Sequence, residues 1–211
     1  MKAAIFANGD FIPEKGLVEE IKSAELIICA DGGALWAQKS GIQPHVLIGD
    51  MDSTPEGLPE RMAQAGVQVI YLERKKNVTD AEAAVELALS RGADEFIIAG
   101  ATGYRLDHTL GNIMLLVKLV QLGKKAKLCG GGQSVLAACG DVEIRGEKGR
   151  IISIIPFGQG LLIESTEGLR YPIKNGYIPG NTTLGISNVF TSDTARVKIK
   201  SGMAVIIMQD A

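Results

Sequence analysis

The stretch "FIIAGATGYRLDHTLGNIMLLVKLVQLGKKAKLC", residues 96–129, decides the fold. It opens on an apolar run over 96–99, with the length and composition of a buried strand. A polar, glycine-bearing turn follows. Residues 106–123 then place apolar side chains at helical spacing and stop at Gly123, a common helix terminator. A second apolar run, 126–129, closes the stretch. Strand, helix and strand in that order form a βαβ unit, whose two strands lie parallel in one sheet.

The same alternation extends toward the N-terminus. Residues 3–7, 26–30, 46–48 and 67–72 are candidate strands, and "DAEAAVELALSRG" over 80–92 is a helix with Ala84, Val85, Ala88 and Leu89 near helical spacing. The class is therefore α/β, a mostly parallel sheet with flanking helices. From about Gly130 the helical spacing disappears, and short apolar runs are cut by Gly, Asp and Asn. That pattern predicts an antiparallel sheet or small sandwich of roughly eighty residues. Gly130–Gly132 is the natural boundary, giving an α/β domain over 1–130 and a β-sandwich domain over 131–211.

Composition narrows the function classes. With 46% hydrophobic and 22% charged residues, the 211-residue chain is globular rather than disordered. A net charge of −2 gives no general attraction to nucleic acid, and "ERKKN" at 73–77 reads as a solvated loop after a strand. Three cysteines, Cys29, Cys129 and Cys139, show no metal-ligand spacing and read as free thiols of a reducing compartment. "MKAAIFANGD" has an apolar core too short for a signal peptide, and no stretch has the apolar length of a membrane span. A soluble cytoplasmic protein is expected.

In open α/β sheets, ligands sit beyond the C-terminal ends of the strands. Four polar clusters fall at such ends. "ADGGA" follows strand 26–30, with Asp31 and two glycines, Gly32 and Gly33, that let backbone approach a ligand closely. "GDMDS" follows strand 46–48; in an extended chain Asp50 and Asp52 point the same way and repel each other unless a positive charge sits between them. "KKNVTDAE" follows strand 67–72. "GATGYRLDH" follows strand 96–99 and brings Arg105, Asp107 and His108.

Each cluster alone has an ordinary structural explanation. Asp31 and Asp107 read as helix caps, Arg105 as an ion-pair partner of Asp107, and His108 as a hydrogen-bonded wall residue. Thr79 with Glu82 fits a capping box, which leaves Asp80 unassigned. Their joint occurrence at one sheet edge points further. Hard divalent cations such as Mg²⁺ take carboxylates plus substrate phosphates, and polyphosphates favour Arg, Lys and free N–H groups at helix starts. Zinc is disfavoured, since neither His45 nor His108 has a partner at ligand spacing. No G-x-S-x-G elbow, P-loop or G-x-G-x-x-G fingerprint is present. The residues thus imply a Mg²⁺-assisted phosphate-transfer or phosphate-hydrolysis site on an α/β scaffold without a P-loop.

With the clusters in view, the sequence resembles the thiamine pyrophosphokinase family. "ADGGA", "GDMDS", "KNVTD" and "GATGYRLDHTLGN" look like that family's motifs in the same order, and "GLRYPI" followed by "GISNVF" is similar to its β-domain signature. The resemblance implies an ATP- and Mg²⁺-binding α/β domain, a thiamine-binding β-sandwich domain and a homodimer with active sites between subunits. It implies transfer of diphosphate from ATP to the hydroxyethyl group of thiamine, with release of AMP.

Carried over by position, Asp50, Asp52 and Asp80 become metal and phosphate-site carboxylates, with Asp80 or Asp107 as the acceptor of the hydroxyl proton. Thr79, Arg105 and Asp107 become nucleotide or phosphate contacts, and Asp31, Gly32, Gly33, Lys76 and His108 fall on the same ATP side. Ser187, Asn188 and Phe190 become the thiamine pocket, the ring of Phe190 stacking on the cationic heterocycle. Ordinary core packing is the competing reading of Phe190, and turn roles that of Ser187 and Asn188. Asn77 stands where the family often has aspartate, and Tyr104 where glycine is common. A related Mg²⁺-dependent pyrophosphokinase or pyrophosphohydrolase, or a non-catalytic nucleotide or thiamine sensor, fits the same residues.

Overall fold

A strand apolar at every position has no face to give to water and needs cover on both sides. LIICA, residues 26–30, is such a strand, and all five positions are buried. The computed structural model describes residues 1–75 and 77–210. The chain divides into two compact units, the first comprising Met1–Leu115 and Gly123–Gly131 and the second Leu116–Leu122 with the residues from Gly132 onward.

The first unit is built on β1 (Lys2–Phe6), β2 (Leu26–Ala30), β3 (Val46–Gly49), β4 (Gln68–Tyr71), β5 (Glu95–Ala99) and β6 (Lys125–Gly130). They pair in the order β6-β5-β1-β2-β3-β4, and every neighbouring pair is parallel. Its helices are α1 (Lys15–Lys22), α2 (Ala34–Lys39), α3 (Leu58–Gln64) and α4 (Asp80–Ser90), and α5 (Leu106–Gln121) begins in it. On one face Phe6, Ile27, Cys29 and Leu47 form a core with Ile21 of α1, Ala34 and Ala37 of α2 and Leu58 of α3. The alternate residues Ile5, Ile28, Val46 and Ile48 point the other way, where α4 buries Ala84, Val85 and Ala88 against β1, β2 and β3. The parallel sheet with flanking helices is as expected from sequence.

This strand order places the site. β2, β3 and β4 run off one side of β1, and β5 and β6 off the other. The chain therefore leaves β1 and β5 in opposite directions, which opens a crevice at the C-terminal ends of the central strands.

The second unit is antiparallel. It contains β7 (Gln133–Ala138), β8 (Val142–Arg145), β9 (Ile151–Glu167), β10 (Lys174–Pro179), β11 (Asn188–Val189) and β12 (Thr194–Gln209). β9 and β12, of 17 and 16 residues, pair with each other through three register shifts between Lys198 and Met203. Sequence reading gave short runs here, because glycines interrupt the apolar pattern. Gly140, Gly149, Gly168 and Gly180 do fall between strands, but Gly158, Gly160 and Gly202 lie within β9 and β12. A side chain at Gly202 would meet the Gly160 carbonyl oxygen at 2.3 Å, so the two strands cross closely where they bend. Both halves of each long strand then line one core, with Ile152, Ile154, Leu161 and Ile163 from β9 and Val197, Ile199 and Ile206 from β12.

Candidate functional site

The ends of β1, β2, β3 and β5 and the starts of α4 and α5 enclose a cleft of about 430 Å³ within the first unit. All four sequence clusters reach it. Asp31 comes from the end of β2, and Asp50, Asp52 and Ser53 from the end of β3. Arg74 and Val78 come from the segment ahead of α4, Thr79 and Asp80 from its start, and residues 100–105 with His108 from the turn into α5. The end of β1, with Ala7, Asn8 and Gly9, also lines it, and so does the buried Asn112 of α5.

The carboxylates converge at the ends of β2 and β3. One oxygen each of Asp31, Asp50 and Asp52 lies within 4.8 Å of the others. All three are hard oxygen donors of the kind that could hold a divalent cation such as Mg²⁺. The pairing of Asp50 with Asp52 has a different origin from strand alternation. Met51 between them is left-handed, at φ 63°, and the Asp52 N–H donates to Asp50 Oδ1 at 3.2 Å. A tight turn, rather than an extended chain, brings the two together.

Asp31 is not a helix cap. It opens a short 3₁₀ turn, Asp31–Gly33, and its carboxylate accepts from Thr54 Oγ1 at 2.7 Å and from the Ser53 N–H at 3.3 Å. Its burial pushes its pKa above the ordinary carboxylate value, and the neighbouring charge of Asp80 adds to the rise. A divalent cation beside it would favour the ionised form. Gly32 and Gly33 do not line the cleft. A Cβ on Gly33 would meet the Phe6 carbonyl oxygen at 2.1 Å, and one on Gly32 the Asn8 side chain at 2.5 Å. Their lack of side chains lets the 3₁₀ turn pack on β1, and through it sets the place of Asn8.

Thr79 caps α4, accepting from the Glu82 N–H at 3.1 Å, which puts Asp80 in the first turn. Arg105 and Asp107 form an exposed pair, Nη2 to Oδ2 at 2.6 Å and Nε to Oδ1 at 3.3 Å. The guanidinium hydrogen bond holds the Asp107 carboxyl below the usual range. Arg105 and His108 line the cleft; Asp107 does not. Lys76 lies outside the described residues. His45 takes a structural place, its Nδ1 accepting from the Ile27 N–H at 2.9 Å.

This cleft sits in a chain whose residues 17–128 match the family model "Thiamin pyrophosphokinase, catalytic domain". Residues 141–204 match "Thiamin pyrophosphokinase, vitamin B1 binding domain". The chain belongs to the thiamine pyrophosphokinase family. It is 32% identical over 184 residues to the thiamine pyrophosphokinase of Bacillus subtilis (strain 168), covering 86% of each chain. A crystal structure of thiamine pyrophosphokinase from Bacillus subtilis superposes with a TM-score of 0.86 at 29% identity, over 100% of this chain and 99% of that one. Yeast thiamin pyrophosphokinase, at 18% identity, has the same fold with a TM-score of 0.81, over 99% of this chain and 86% of that one.

Ser187, Asn188 and Phe190 fall within the region that matches the vitamin B1 binding domain. Ser187 is exposed and left-handed, at φ 59°, with its N–H donating to Ser153 Oγ at 3.1 Å. Asn188 is buried and acts as a clamp. Its Nδ2 donates to the Tyr171 carbonyl at 2.8 Å, and its Oδ1 accepts from the N–H groups of Tyr171 and Val189 at 3.0 and 2.9 Å. Phe190 is 2% exposed and belongs to the core of the second unit, close against Gly146. Within the chain its ring packs against apolar side chains and offers no open face.

Sequence reading missed the end of β1 and Arg74. "ANGD" carries no charge before its aspartate, and Arg74 sat in a run taken for a solvated loop. The signal for the first lay in the strand order, since β1 flanks the crossover point of the sheet. Among the described residues, no helix is long and apolar enough to cross a membrane.

Proposed function

We propose that this protein transfers the diphosphate of ATP to the hydroxyethyl oxygen of thiamine, forming thiamine diphosphate and releasing AMP. The observation that carries this reading is one cleft holding three converging carboxylates beside the start of α4, in a chain of this family. Asp31, Asp50 and Asp52 would hold Mg²⁺, which when bound neutralises charge on the phosphate oxygens. Diphosphate transfer calls mainly for positioning and charge stabilisation. Arg105, Thr79 and the helix starts at α4 and α5 supply donors to the nucleotide phosphates. Asp80 lines the cleft and Asp107 does not, which makes Asp80 the better-placed acceptor for the thiamine hydroxyl proton. Ser187 is the exposed contact to thiamine, with Asn188 and Phe190 holding its turn in place.

We further propose a cytoplasmic homodimer, each site combining the cleft of one chain with the thiamine-binding unit of its partner. Sedimentation should return about twice the 22.3 kDa chain mass; a monomer that turns over thiamine would refute the shared site. The reaction itself is tested by incubating the protein with ATP, Mg²⁺ and thiamine and separating the products. AMP and thiamine diphosphate in equal amounts are expected. ADP, or AMP with free pyrophosphate, would overturn the proposal.

A further inference from the structure

Thr54 is not among the residues lining the cleft, yet its hydroxyl makes the shortest hydrogen bond to Asp31, at 2.7 Å to Oδ1. An ionised carboxylate only accepts, so the hydroxyl is the donor. The Ser53 N–H reaches the other oxygen, Oδ2, at 3.3 Å. Both donors belong to the turn that carries Asp50 and Asp52, so that turn and the Asp31 carboxylate fix each other.

The backbone around them is equally constrained. Asp31 is left-handed, at φ 47°, and Met51 likewise, at φ 63°. A Cβ on Gly49 would stand 3.0 Å from Asp31 Cβ, so the ends of β2 and β3 touch at this point. Asp31 is 6% exposed, and few orientations of its carboxylate would leave both oxygens paired.

We propose that Thr54 is a positioning residue, whose hydroxyl fixes the Asp31 carboxylate in the orientation that lets Asp31, Asp50 and Asp52 hold one divalent cation. The inference rests on the reading that a cation sits among these three carboxylates. Partners that orient metal ligands through hydrogen bonds typically change metal affinity by about 10- to 100-fold when removed. Thr54→Val keeps the shape of the side chain and removes the donor; Thr54→Ser keeps the donor and removes a methyl group.

The test is Mn²⁺ binding by calorimetry to the full chain without ATP or thiamine, since Mn²⁺ shares the oxygen-ligand preference of Mg²⁺. Thr54→Val should weaken Mn²⁺ binding about tenfold or more, while Thr54→Ser binds close to wild type. In turnover, Thr54→Val should raise the Mg²⁺ concentration required and leave the KM for thiamine unchanged. Circular dichroism checks folding, and Thr54→Ala replaces Thr54→Val if the valine variant does not fold.

A wild-type protein with no saturable Mn²⁺ site, a valine variant that binds normally, or a serine variant as weak as valine would each overturn the proposal. The binding arm uses neither substrate. Failure of wild type to make thiamine diphosphate would sink the proposed reaction and leave this inference standing; product formation with normal Mn²⁺ binding by Thr54→Val would sink this inference alone.

Discussion

Asp52→Asn should lower turnover by roughly a thousandfold, equivalent to several kcal/mol of barrier, and leave the protein folded. Asp52 contributes one of three converging carboxylate oxygens and sits at the exposed end of the β3 turn. Asparagine keeps an oxygen donor of similar shape but removes the charge that a dication and its phosphate ligands balance. Without metal, the change removes one of a set of mutually repelling charges. The melting temperature of the metal-free variant should therefore stay within about 2 °C of wild type or rise. Steady-state kinetics and a thermal melt read the two halves of this expectation separately. A large fall in melting temperature would make Asp52 a structural residue, and activity within a few-fold of wild type would remove it from the site.

Phe190→Ala carries the largest expected effect on stability. The ring is fully enclosed in the second unit's core with Ile144, Leu169 and Val197, and Gly146 leaves no room beside it for a side chain. Deleting a buried aromatic ring typically costs about 3–5 kcal/mol, from lost burial and the cavity left behind. The loss should appear as a lowered midpoint in urea denaturation. Phe190→Leu retains most of the apolar volume and should cost less. An unchanged midpoint together with a raised KM for thiamine would show instead that the ring serves the ligand.

The two variants mark where sequence alone sufficed and where it stopped. The parallel strands were legible because a strand buried on both faces is a continuous apolar run, as in "LIICA" and "FIIA". Helix α4 was legible from Thr79 and from apolar spacing at Ala84, Val85 and Ala88. The convergence of Asp50 and Asp52 was visible, but its cause was not, since methionine gives no local sign of a left-handed backbone. Asp31 showed its type but not its partner, because its bond to Thr54 spans 23 residues and depends on β2 and β3 lying side by side. In the second unit, glycines at the bends of β9 and β12 broke the apolar pattern and hid two long strands. Phe190 follows Ser187 and Asn188 in a motif, and a motif does not record burial.

The proposed reaction moves a diphosphate from ATP to thiamine as a unit. Labelled ATP tests it most directly, with the γ-phosphate labelled in one reaction and the α-phosphate in another, in the presence of Mg²⁺ and thiamine. The γ label is expected in thiamine diphosphate and the α label in AMP alone. A γ label recovered in free pyrophosphate or inorganic phosphate, or on thiamine monophosphate with the α label in ADP, would contradict it.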